Sequence, residues 1–185
     1  MTARLCSRNE NKLRELAAVL EGWELALLGA DAFPEEEGES YYENARAKAR
    51  FGRATGEAGA WMLGEDSGIE VEALHGAPGP RSARWADDGV ARLLRELDGV
   101  ADRRARYVCE LVCISPEGEE YRGTGVLEGS VAASPHGSEG FGYDPIFVPE
   151  DEERTVAELG NAWKAEHSHR ARAARALLAA LPIRA

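Results

Sequence analysis

A chain of 185 residues, 44% hydrophobic and 30% charged, has the length and make-up of one soluble globular domain, 1–185, with a sizeable core. Its net charge of −11 argues against a nucleic-acid polymer as partner, which needs a basic surface, but leaves room for a small polyphosphate held by local charge. The longest apolar runs, 110–114 and 176–181, are far too short to cross a bilayer, and Arg4 and Arg8 interrupt any apolar leader, so no membrane partner and a cytoplasmic location are expected.

Residues 2–7 read as a short strand. Asn9 then caps a helix to about residue 21, with Leu13, Leu16, Ala17 and Leu20 on one face. A second strand is expected over 23–28, followed by an acidic loop over 31–39. Ser40, with Glu43 three residues on, forms a capping box for a helix over 40–56. Strands over 60–64 and 69–73 flank an acidic turn, a Gly/Pro-punctuated hairpin closes on Arg81, Ser82 and Arg84, and a helix covers 88–97. Polar/apolar alternation over 104–115 and 119–131 around Pro116-Glu-Gly118 predicts a long antiparallel hairpin. A glycine-rich loop with a short strand fills 137–149, and Ser168 caps a last helix bearing Ala171, Ala174, Leu178 and Leu181. The sum is an α/β chain with a mixed sheet. Cys109 and Cys113 lie on one strand, about 13 Å apart at four residues' separation. They cannot share a zinc ion, and buried thiols are expected.

Five short segments carry chemistry. Ser7-Arg8-Asn9-Glu-Asn-Lys12 sits at a strand-to-helix junction, where free N–H groups suit a phosphate; a plain capped helix with a surface lysine is the alternative. Asn44 and Lys48, four residues apart, share a helix face. Glu65 and Asp66, adjacent at a turn, can point the same way, one holding a hard cation while the other orients or deprotonates a water. The loop through Phe141, Gly142, Tyr143 and Asp144 lets backbone approach a flat ligand, with an aromatic ring available for stacking and Asp144 held extended before Pro145. His169 and Arg170 follow the Ser168 cap, placed to donate to a base carbonyl or a phosphate. Of 22 basic residues only Lys12, Lys48 and Lys164 are lysine.

Taken in order, Ser-x-Asn-x-x-Lys at 7–12, Glu-Asn-Ala-x-x-Lys-Ala at 43–49, Asp-Ser-Gly-Ile-x-Val-x-x-Leu-x-Gly-Ala-Pro-Gly-x-x-Ser-Ala-Arg at 66–84, Gly-Phe-Gly-Tyr-Asp-Pro-Ile-Phe at 140–147 and Ser-His-Arg at 168–170 resemble the inosine triphosphate pyrophosphatase family over nearly the whole chain. The resemblance implies an elongated, two-lobed mixed sheet flanked by helices, with the active site in a central cleft, and a homodimer. It implies hydrolysis of ITP, dITP or XTP to the monophosphate and pyrophosphate with Mg²⁺. Asp66 becomes the general base and a metal-associated acid, with Ser67 near the substrate. Ser7, Arg8, Asn9, Lys12 and Lys48 would hold the triphosphate, Lys164 would lie near the nucleotide, and Phe141 to Asp144 would contact base and sugar. His169 and Arg170 would read the purine. A further metal acid is implied just upstream of the second helix, Glu35 being favoured over its competitor Glu36, and Glu65 is a possible third. All three lysines fall on the family's lysine positions.

Three positions depart from the family pattern: Glu65 stands where aspartate is common, Arg8 where glycine is common, and 86–92 is short and lacks an asparagine. A Maf-type pyrophosphatase acting on pyrimidine or modified nucleotides is one rival reading. A nucleotide-binding protein whose catalysis Glu65 has weakened is the other.

Overall fold

The computed structural model describes residues 1–182. Six strands form one mixed sheet: β1 Thr2–Leu5, β2 Glu24–Leu27, β3 Trp61–Val71, β4 Arg104–Ile114, β5 Glu120–Val131 and β6 Phe147–Pro149, in the order β2-β1-β3-β4-β5-β6. β1 runs parallel to both its neighbours, and the pairs from β3 to β6 are antiparallel. Helices α1 Glu10–Ala17, α4 Val156–His167 and α5 His169–Ala180 pack together on one face, with α5 over β4 and β5, and α2 Tyr41–Thr55 covers β3 and β4 on the other. α3 Gly89–Glu96 adds Leu93 and Leu97 to the core that Tyr107, Phe147 and Val156 form at one end of the sheet. A second core, around Leu5, Leu16, Leu63, Leu111 and Leu177, fills the other end. These two cores are the physical content of the expected two lobes.

Several expectations hold: Asn9, Ser40 and Ser168 cap their helices, and Ser40 and Glu43 form the capping box. Cys6, Cys109 and Cys113 are buried free thiols. Three expectations are corrected. α1 stops at Ala17 rather than near residue 21. The segment 156–167, for which no element was expected, is a helix broken at Gly160, whose φ of 87° ends the first half. Glu139 restarts it by accepting from the Asn161 N–H at 2.9 Å.

The third correction matters most. There is no turn at Glu65-Asp66, because β3 runs unbroken and pairs with β4 from Met62↔Ile114 to Val71↔Ala105. The glycines that resemble turn residues serve close packing instead. A Cβ on Gly64 would lie 1.9 Å from the Ala45 carbonyl oxygen of α2, so only glycine lets helix and strand meet there. Beyond β3, the Gly/Pro segment reaches back through a single bridge, Glu70↔Pro78, and continues as a 3₁₀ helix over Gly79–Arg84.

Candidate active site

β1 pairs with β3 only as far as Leu63. From Gly64 onward one edge of β3 therefore stands open. The Ser82 hydroxyl closes part of it by accepting from the Ile69 N–H at 2.9 Å. A cleft of about 500 Å³ lies along this edge, lined by Asn9, Lys12, Ser67, Phe141, Lys164 and Arg170 among others. Its volume suits a small-molecule site.

On a strand, neighbouring side chains alternate between faces. Asp66 points toward α2 and Glu65 toward α1 and α5. On the α2 face Asn44 Nδ2 donates to Asp66 Oδ2 at 2.9 Å, and Lys48 Nζ lies 3.5 Å from Asp66 Oδ1. Lys48 also donates to the Glu65 carbonyl oxygen at 3.0 Å and forms an ion pair with Glu36. Arg84 grips Glu36 through its carboxylate at 2.5 Å and its carbonyl at 2.6 Å. Burial pushes the Asp66 carboxyl up from 3.8 to about 6, with the Lys48 charge and the Asn44 hydrogen bond only partly offsetting it. Burial also works against the Glu36 carboxylate, but Lys48 outweighs it and holds that group below its ordinary range. Two carboxylates in one neighbourhood are thus set to different proton affinities.

On the opposite face a continuous chain of charges joins α1, β3, α5, α4 and the turn at Asp144. Lys12 meets Glu65 Oε2 at 2.5 Å, and Arg170 donates to Glu65 Oε1 through Nε at 3.1 Å and Nη2 at 2.9 Å. Arg170 also pairs with Glu15 and donates to the Ser67 hydroxyl at 2.9 Å. Glu15 then pairs with Lys164, and Lys164 reaches Asp144 Oδ2 at 2.6 Å. The Tyr107 hydroxyl donates to Asp144 Oδ1 at 3.2 Å and ends the chain. Glu65 is 1% exposed. Burial alone would protonate it, yet Lys12 and Arg170 hold its carboxyl well below the usual range.

At the far end of the cleft His169 stacks on Tyr107, with ring centroids 4.5 Å apart. Burial first, and the Arg170 charge second, keep this imidazole neutral. Its Nδ1 is buried without a hydrogen-bond partner, an uncommon state for a polar atom and one that a ligand group would relieve. Phe141 lies half-buried beside it, with Lys164 Nζ 4.8 Å from the ring centroid.

The sequence-predicted residues fall into three groups. Lys12, Ser67, Phe141, Gly142, Tyr143, Asp144, Lys164, His169 and Arg170 line the cleft, whereas Asp66 and Lys48 meet each other on the α2 side of β3, outside its lining. Ser7 and Asn9 shape the α1 junction: the Asn9 N–H donates to Ser7 Oγ at 3.1 Å and the Asn9 side chain caps the helix. Arg8 and Glu35 lie outside the cleft lining, and Tyr143 and Asp144 line it with their side chains engaged by the protein. Arg8 donates to the Asp31 carbonyl beside the Phe33 ring. Tyr143 is buried and donates to the Ser82 carbonyl at 3.1 Å, leaving Phe141 as the ring available for stacking. Asp144 opens a 3₁₀ turn, Asp144–Ile146, rather than an extended segment, because its carboxylate takes up the Phe141 N–H at 2.8 Å. Glu36, not the exposed Glu35, is the acid facing Lys48. Glu65 does not share a direction with Asp66.

Sequence reasoning missed Glu15, which ties Arg170 to Lys164, and Tyr107. Both carried a signal. Glu15 follows Lys12 by one helical turn, and Tyr107 is an inward position of the alternating hairpin.

A cleft lined by Lys12, Lys164 and Arg170, with a neutral histidine and an aromatic ring, has the chemistry to hold an anionic small molecule with a flat group on an α/β sheet. The family comparison agrees. The Ham1 family model matches residues 3–180, and the chain belongs to that family. It is 42% identical over 179 residues to a dITP/XTP pyrophosphatase of Gloeobacter violaceus, with 94% of this chain and 91% of that protein covered. A dITP/XTP pyrophosphatase of Symbiobacterium thermophilum is 44% identical, with 96% and 93% covered. The Ham1 protein of Staphylococcus aureus superposes with a TM-score of 0.84 at 32% identity, over 97% of both chains.

Proposed function

We propose that this protein hydrolyses noncanonical purine nucleoside triphosphates, dITP, ITP and XTP, to the nucleoside monophosphate and pyrophosphate. The observation that carries the reading is the buried, unpartnered Nδ1 of neutral His169 beside Arg170 and Phe141, at the end of a cation-lined cleft. The Arg170 guanidinium, and His169 in the tautomer that carries its proton on Nδ1, donate to a 6-oxo purine. A 6-amino group would set donor against donor, a mismatch that buried sites reject strongly. Lys12, in the first turn of α1, and Lys48, on α2 beside Asp66, take the phosphates.

Asp66 orients the attacking water and accepts its proton. A carboxyl at about 6 is ionised at neutral pH yet more basic than an ordinary carboxylate, which suits that task. Asn44 and Lys48 fix its direction. Asp66 and Glu36, two carboxylates around Lys48, have the donor chemistry for Mg²⁺, which takes one or two carboxylates together with substrate phosphates. Mg²⁺ held there would supply charge neutralisation on the polyphosphate. A homodimer in the cytoplasm completes this reading. Among the described residues no helix is long and apolar enough to cross a membrane.

The test is incubation with Mg²⁺ and dITP and analysis of products. Equal amounts of dIMP and pyrophosphate are expected, with dATP cleaved far more slowly. Release of single phosphate, or binding without turnover, refutes the proposal, and a preference for pyrimidine triphosphates would favour the Maf-type alternative.

A further inference from the structure

Glu65 is adjacent to Asp66 in sequence and was a third candidate metal acid after Asp66 and the glutamate upstream of the second helix. Its surroundings say otherwise. Both carboxylate oxygens are engaged by cations, Oε2 by Lys12 and Oε1 by two nitrogens of Arg170. The Cys109 thiol lies 3.6 Å from Oε1, and the side chain is sealed between α1, β4 and α5. Asp66 and Glu36 sit across the strand on the other face, so no single ion bound to them has a clear approach to Glu65.

In the proposed function Lys12 takes phosphate and Arg170 reads the base. Among the described residues, Glu65 is the one that pairs with both. We infer that Glu65 is a positioning residue, the shared counter-ion of Lys12 and Arg170 that trades phosphate affinity for base discrimination, and not a metal ligand. Two effects of opposite sign follow. Glu65 competes with an incoming polyphosphate for Lys12, which weakens anion binding. It also orients the Arg170 guanidinium through two charge-assisted bonds, and a planar fork held in this way discriminates by geometry. Arg170 keeps Glu15 and Ser67 as partners when Glu65 is neutral, so it stays in the site but loses one of its fixed sides.

This inference rests on the proposed function in assigning phosphate to Lys12 and the base to Arg170. The experiment uses Glu65→Gln in the full chain, with near-UV circular dichroism as a check of packing and Glu65→Asp as a second variant that keeps the charge at shorter reach. Tripolyphosphate and nucleotide affinities are measured by calorimetry in EDTA, and the Mg²⁺ dependence of turnover is measured separately. For Glu65→Gln, tripolyphosphate is expected to bind about threefold tighter or more, as Lys12 is freed. The preference for dITP over dATP should fall about tenfold, the scale of one lost hydrogen bond to a charged group. The half-saturating Mg²⁺ concentration should not move. Glu65→Asp should shift both affinities the same way by less.

Unchanged tripolyphosphate affinity with a raised Mg²⁺ requirement in either variant overturns the inference and makes Glu65 a metal ligand. Weaker tripolyphosphate binding in both variants also overturns it. The tripolyphosphate arm needs no turnover, so it reads Glu65 even if the wild-type protein fails to cleave dITP, an outcome that would sink the proposed function alone.

Discussion

Asp66→Asn should destroy turnover and stabilise the protein, and the size of the gain depends on pH. The Asp66 carboxyl titrates at about 6 in the folded protein against an ordinary 3.8. Between those values the native state holds a proton that the unfolded chain has released. Stability therefore falls as pH rises through this window and stays lower above it. The displacement corresponds to about 3 kcal/mol at 1.36 kcal/mol per pH unit. Asparagine stays neutral at every pH and keeps an oxygen to accept from Asn44, so it escapes this cost. In metal-free buffer at pH 8 the variant should melt roughly 6–12 °C higher than the wild type for a chain of this size. At pH 4, where the native wild-type carboxyl is protonated and the unfolded one is only partly ionised, the gap should nearly close. Differential scanning calorimetry of the pair at both pH values, in EDTA, measures it. A melting difference that is the same at pH 4 and pH 8, or a variant less stable at pH 8, would refute the reasoning. The same titration predicts that wild-type kcat/KM rises about tenfold per pH unit below 6 and levels off above it.

Gly64→Ala drives a methyl group into the α2 backbone, 1.9 Å from the Ala45 carbonyl oxygen and 2.7 Å from the Ala49 nitrogen. It should cost about 3 kcal/mol or more by urea titration, at the upper end of overpacking effects, and a loss below about 1 kcal/mol would mean that the helix and strand can part cheaply. Glu139→Ala removes the carboxylate that accepts from the Asn161 N–H and side-chain amide at 2.9 and 2.7 Å. A loss of about 1 kcal/mol, the scale of a helix cap, is expected in thermal denaturation, with Glu139→Gln nearly neutral; equal losses in both variants would assign the effect to charge instead of capping.

Local chemistry was the legible part of this chain. Caps announce themselves by residue type and offset, so Asn9, Ser40 and Ser168 were readable, and the long hairpin was readable from its alternation. The Asn44/Lys48 pair followed from helical spacing alone, and both side chains meet at Asp66. Glu15 and Tyr107 were hidden because their roles arise from partners far along the chain: Glu15 meets Lys164 and Arg170, and Tyr107 meets Asp144 and His169. α4 was hidden because Gly160, at a positive φ, breaks the helical period in its middle.

The error at Glu65-Asp66 has a deeper source. Gly64, Ser67 and Gly68 are turn-formers by local propensity, and nothing near them in sequence says otherwise. What overrides propensity is β4, forty residues downstream, pairing with every position from Met62 to Val71. Once the strand is continuous, its pleat separates two acids that a turn would have aimed together. The even position then faces Lys48 and Asn44, and the odd position faces Lys12 and Arg170. A slip of one residue in the β3–β4 register would exchange those surroundings. It would bury the base between two cations, which would strip it of basicity, and turn the counter-ion toward the water. The division of labour between Glu65 and Asp66 is therefore written in the strand register, not in the identity of either residue.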